Sequence, residues 1–145
     1  MSEGTCSIEE FSARLGAGAA ACVGDAQGNS AALSQREVTD RENAICEGLI
    51  KELGLWIPIQ ETTRLGIPFP SGVENTVYYD NRTDKVYKVN NLMTSKSIGR
   101  FLKRLLLHNS LFPQTAYELV GFTGFGKDSL YPVIRQDYID RKSVV

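Results

Sequence analysis

Apolar residues follow helical spacing at the front of the chain and strand-like alternation behind it. Ile8, Phe11 and Leu15 recur every three to four residues, opened by Ser7-Ile8-Glu9-Glu10 and closed by Gly16. The opening has the form of a capping box, so a short first helix is predicted. Residues 16–32 are small and glycine-rich with no apolar stripe, which predicts a linker. Ser34-Gln35-Arg36-Glu37 is a second capping box and opens a helix over 34–53. Val38, Ile45 and Leu49 share one face of it, Ala44 and Ile50 lie beside them, and Gly54 supplies the stop. Leu55-Trp56-Ile57-Pro58-Ile59 is extended and apolar, and Pro58 marks an edge or a strand end. Pro68 and Pro70 then break the chain before Ser71-Gly72.

The pattern changes period at Val77-Tyr78-Tyr79 and Val86-Tyr87-Lys88-Val89, two β-branched and aromatic runs. Asp80-Asn81-Arg82-Thr83-Asp84 between them is rich in turn-formers, so a hairpin is predicted. A helix over 95–109 follows, with Ile98, Phe101, Leu102, Leu105 and Leu106 on its buried face and Lys96, Arg100, Lys103 and Arg104 elsewhere. Two more strands are predicted at Tyr117–Phe122 and Leu130–Ile134, joined by the glycine-rich loop Thr123–Asp128, and Gln136–Ile139 continues the last. From residue 60 the order is three strands, a helix and two strands. The expected fold class is α+β: about five mainly antiparallel strands with one packed helix. The 34–53 helix docks by its Val38, Ile45, Leu49 face, and the first helix is an accessory.

Bulk composition narrows the classes. The 145 residues are 42% hydrophobic and 23% charged, enough apolar content for one packed domain with or without a tail. The predicted division is 1–33, a helix and linker, and 34–145, the domain. Sixteen basic against 17 acidic residues give a net charge of −1, which argues against a nucleic-acid partner. No apolar run approaches the ~18 residues of a membrane span, and the acidic Met1-Ser2-Glu3-Gly4 lacks the order of a signal peptide. Cys6, Cys22 and Cys46 form no CxxC pair and His108 is the only histidine, so neither a metal site nor a disulfide framework is expected. The expected setting is a reduced cytoplasm.

Few residues carry candidate chemistry. Lys88, framed by Val86 and Val89, either snorkels to the sheet rim or waits for an anion. Gly72 has a plain reading as a turn glycine after Pro70. His108 and Asn109 suit a helix end. The Lys96, Arg100, Lys103, Arg104 stripe reads as a solvated face. The Gly121, Gly124, Gly126 cluster lacks the strand-loop-helix context and Lys-Ser/Thr ending of a phosphate loop.

Four stretches carry a resemblance: GVENTVYYD, KVYKV, HNSLFPQTAYELVGFT and LYPVIRQDYI. Together they resemble the kinase-like domain of polyvalent proteins from phages and conjugative elements, over about residues 55–140, most specifically from His108 to Thr123. The element order is that of the amino-terminal lobe of the protein-kinase-like fold. The resemblance implies that Lys88 contacts ATP phosphates, Val77 covers the adenine ring, Gly72 belongs to the phosphate-covering loop, and Ile134 to Tyr138 approach the hinge.

The chain departs from the family pattern in three places. No Asp or Glu occurs between Asn91 and Tyr117, so the helix carboxylate that normally pairs with such a lysine is missing unless Glu74 or Glu118 replaces it. Gly72 is the only glycine of its loop. No H-R-D or D-F-G sequence, the source of the catalytic and metal-binding aspartates, occurs in the 145 residues. The expectation is a truncated or degenerate kinase-like lobe, a pseudokinase with weak or no ATP binding, no required cofactor, no metal site and no phosphotransferase activity of its own. Two alternatives stay open. One is an interaction module, as a homodimer or with a protein partner through the exposed lobe surface. The other is the front part of an active kinase completed by downstream sequence.

Overall fold

The computed structural model describes residues 7–25, 35–125 and 129–138. The alternating runs form strands β2 (Asn75–Asp80) and β3 (Lys85–Asn90), paired antiparallel from Asn75↔Asn90 to Asp80↔Lys85. Their turn is built on Asp80, whose carboxylate accepts from the Arg82 amide (3.0 Å) and the Thr83 hydroxyl (2.9 Å). These bonds favour the charged form, the Arg82 amide most, and hold the Asp80 carboxyl below the usual carboxylate range. The short β1 (Ile67–Pro68) lies outside β2. Strands β4 (Glu118–Thr123) and β5 (Tyr131–Asp137) complete a five-stranded sheet in the order β1-β2-β3-β5-β4, every neighbour antiparallel. The α+β arrangement is that expected of a kinase amino-terminal lobe.

Strand alternation gives the sheet two faces. One carries Leu119, Phe122 and Ile134 into the main core against helices α1 (Ile8–Asp25), α2 (Gln35–Leu53) and α3 (Ile98–Leu111). The other carries Tyr78, Val89 and Val133, packed by Ile57 and by Leu65 of the 3₁₀ segment Ile59–Leu65.

Two expectations about the front of the chain need correction. The first helix does not close at Gly16 but runs to Asp25. Gly16, Gly18 and Gly24 each cost about 1 kcal/mol relative to alanine, and Ala17, Ala19, Ala20 and Ala21 between them are the best helix formers. Nor is this helix an accessory. Ile8, Phe11 and Leu15 are buried, and the Phe11 ring lies 5.3 Å from that of Phe122. On α2, Val38 is 41% exposed rather than docked, and Cys46, Leu49 and Ile50 make the buried contact. Gly54 ends α2 as expected, at φ 65° with the Leu55 amide donating back to the Ile50 carbonyl.

Helix α3 starts at Ile98, later than expected, because the chain first turns through Leu92 and Lys96 at positive φ. Ser97 caps it, and Glu42 of α2 accepts from the Gly99 amide at 3.0 Å. A Cβ on Gly99 would stand 2.5 Å from that carboxylate. Beside β4, Leu55 and Ile57 bond the two sides of Phe122, so the 55–57 segment runs parallel to the strand. Gly121 admits it, since a Cβ there would strike the Leu55 carbonyl.

Candidate functional site

Position in β3 decides where Lys88 points. It pairs with Val77 of β2 on one side and Ile134 of β5 on the other, so the three side chains form a row on the helix-bearing face. Three of the four residues singled out from the sequence are thus brought together. Gly72 lies in the loop that enters β2. That loop is fastened by Ser71, whose hydroxyl donates to the Phe69 carbonyl (3.0 Å) and accepts from the Val77 amide (2.9 Å). Gly72 itself has no left-handed φ and open space where a Cβ would go.

Neither carboxylate considered for Lys88 reaches it. Glu118 pairs with Arg135, one residue out of step with the Lys88–Ile134 row, and therefore lies on the other face. There it binds Arg135 Nε at 2.8 Å and lies 3.8 Å from Lys85 Nζ. Glu74 accepts from the Thr94 amide at 3.0 Å. The partner of Lys88 is Tyr117: Nζ donates to the phenol oxygen at 3.0 Å. The ammonium is 5.2 Å from the ring centroid, much nearer the oxygen than the ring, so the hydrogen bond carries the contact. An ammonium has three donors, and Tyr117 uses one.

Tyr117 is itself fixed from α3. Asn109 Nδ2 donates to the Tyr117 carbonyl at 3.0 Å, and the Tyr117 amide donates to Asn109 Oδ1 at 2.8 Å. The His108 ring lies 4.8 Å from the Tyr117 ring, and its Nε2 lies 3.0 Å from the Thr115 carbonyl. That same carbonyl accepts from Gln136 of β5 at 2.9 Å. Along the Val77 face, Phe69, Tyr79 and Tyr138 form an aromatic cluster, with Tyr79 5.5 Å from Phe69 and 4.9 Å from Tyr138. The Tyr79 hydroxyl donates to Asp84 at 2.7 Å, which raises its pKa by stabilising the protonated phenol. Among the described residues no cluster of three His, Cys, Asp or Glu could hold a metal ion.

The family described as the serine/threonine/tyrosine kinase found in polyvalent proteins matches residues 39–145. The chain belongs to that family. No curated protein and no solved structure matches it. The match begins within α2 and so leaves α1, with its buried Phe11, outside it.

Tyr117 and Asn109 went unrecognised as site residues in the sequence. A signal was present, since both lie in the HNSLFPQTAYELVGFT stretch that carries the resemblance most specifically. Tyr117 looked like a strand aromatic and Asn109 like a helix stop. The helix in fact continues to Leu111, and the Asn109 side chain turns to the next segment instead. Likewise His108 faces a backbone carbonyl past the end of the helix.

Proposed function

We propose that this face is the phosphate- and base-contacting half of a kinase-type nucleotide site, and that the 145 residues alone bind ATP weakly and transfer no phosphoryl group. The observation that carries the reading is the row Val77–Lys88–Ile134, which aligns a cation with apolar neighbours on one sheet face. Lys88 keeps two donors for a phosphate, so its chemistry fits an anion. Phosphoryl transfer depends on metal ions for much of its charge stabilisation, and the two carboxylates considered for Lys88 are engaged elsewhere, Glu74 with the Thr94 amide and Glu118 with Arg135. A charge pair at 4 Å in water contributes only ~1 kcal/mol. Affinity is therefore expected in the millimolar range, about −4 kcal/mol. Incubation with Mg-ATP and general protein substrates should give no transfer above background. Robust transfer by the 145 residues, abolished by Lys88→Ala, would overturn the reading.

A second reading, docking of a protein partner, is favoured by the outer face of α3. Leu107 and Leu111 are 62% and 61% exposed, and Phe112 follows at 54%. Arg100, Lys103 and Arg104 extend that face and make no ion pair with any described residue. No acidic residue occurs from Ile98 to Leu111. The charge fits an acidic amphipathic segment better than a second copy of this helix. Light scattering should show a monomer, and an acidic amphipathic peptide should bind with a salt-sensitive affinity that Leu107→Glu abolishes. A homodimer broken by Leu107→Glu would assign the face to self-association instead.

A further inference from the structure

We propose that Tyr117 is the positioning residue for Lys88, and that it passes the position of helix α3 to the lysine through Asn109. A free side chain of lysine's length carries many rotamers, and an anion that binds it must order them. Here one donor is already committed to the Tyr117 oxygen at 3.0 Å. The phenol is held in turn, because Asn109 fixes the Tyr117 amide and carbonyl at 2.8 and 3.0 Å while His108 lies against the ring. Asn109 and His108 both sit near the end of α3. The helix therefore reaches Lys88 through a neutral hydroxyl beyond its own C-terminus, not through a carboxylate on its inner face. A neutral partner has a consequence a carboxylate would not have: it orients the ammonium without neutralising it, leaving the full positive charge for an incoming anion.

The geometric claim stands without nucleotide, and its consequence for affinity rests on the proposed half-site, so the test reads the two separately. Lysine-¹³Cε relaxation in the nucleotide-free protein, with the Lys88 signal assigned by its loss in Lys88→Arg, should show an ordered side chain. Tyr117→Phe keeps the ring and removes the oxygen, and should bring Lys88 to the mobility of exposed Lys103. Asn109→Ala should loosen it partly, with the fold checked by circular dichroism. Where Mg-ATP binding is measurable and weakened by Lys88→Ala, Tyr117→Phe should weaken it ~3–10-fold, the share of lysine ordering lost. An ordered Lys88 in the wild type, mobile in Tyr117→Phe, supports positioning even where ATP does not bind, and in that event only the half-site reading fails. Lys88 equally mobile in the wild type, or equally ordered in Tyr117→Phe, overturns the proposal.

Discussion

Phe11→Ala tests whether the first helix belongs to the fold. Phe11 is fully buried, and its ring packs on that of Phe122, itself fully buried in the sheet. A phenylalanine buries 150–250 Å², about 4–6 kcal/mol at ~25 cal/mol per Å², an upper bound because the unfolded chain already hides part of that area. Core Phe→Ala changes cost ~3–5 kcal/mol, the spread reflecting how far the site collapses. Against a total stability of about 5–15 kcal/mol, that is a large fraction. With a urea slope of about 2 kcal/mol per M, the midpoint should fall by roughly 1.5–2.5 M. Fluorescence of Trp56, which bridges to Phe122, should report the transition. Leu107→Ala, on an exposed residue, serves as the control and should stay within ~0.5 kcal/mol. A Phe11→Ala loss below ~1 kcal/mol would refute the reasoning and return residues 8–25 to the role of an accessory segment.

Three further outcomes are expected. Burial pushes the Cys46 thiol up to about 12, with Glu42 and Glu47 adding to the shift, so in a Cys6→Ser, Cys22→Ser background it should resist thiol reagents until the protein unfolds. Because its folded pKa is raised, the associated stability is intact below the unfolded thiol value of ~8.5 and fades as pH rises toward the folded one, as alkaline denaturation of Cys46→Ala against its parent would show. Asp80 has the opposite sign: its folded pKa is depressed, so its contribution is present above the unfolded value of ~3.9 and lost as pH falls through and below it, and acid titrations of Asp80→Asn should lack that component. Gly121→Ala forces a Cβ into the Leu55 carbonyl and should destabilise by ~2 kcal/mol or more in denaturant melts, whereas Gly72→Ala should be neutral.

Legibility in the sequence followed locality. The hairpin and the Gly54 stop were readable because strand period and turn chemistry are local. Val77 and Ile134 were named only through the family resemblance, as was the phosphate role of Lys88, and their row depends on β3 pairing with β5, far apart in the chain. The extent of α1 was not readable, because the glycines at 16 and 18 outweighed the alanines among them in a reading by composition. Val38 was misplaced because it lies on the stripe of Leu49 but about two turns before Cys46, the first buried residue of α2 among those described. Tyr117 was missed for a different reason. A search for a charged partner to Lys88 passes over a neutral hydroxyl, and only the sheet register shows that Glu118 faces the other way.

The central claim is that Lys88 and its neighbours form half of a nucleotide site. Titration of the ¹⁵N-labelled chain with Mg-ATP, followed by amide shifts, tests it most directly. Shifts are expected at Val77, Lys88, Ile134 and Tyr138 with a dissociation constant in the millimolar range, about −4 kcal/mol, weakened further by Lys88→Ala. Shifts confined to Thr76, Tyr78, Val89 and Tyr131, which line a cleft of about 310 Å³ on the opposite face, would contradict it. So would binding indifferent to Lys88.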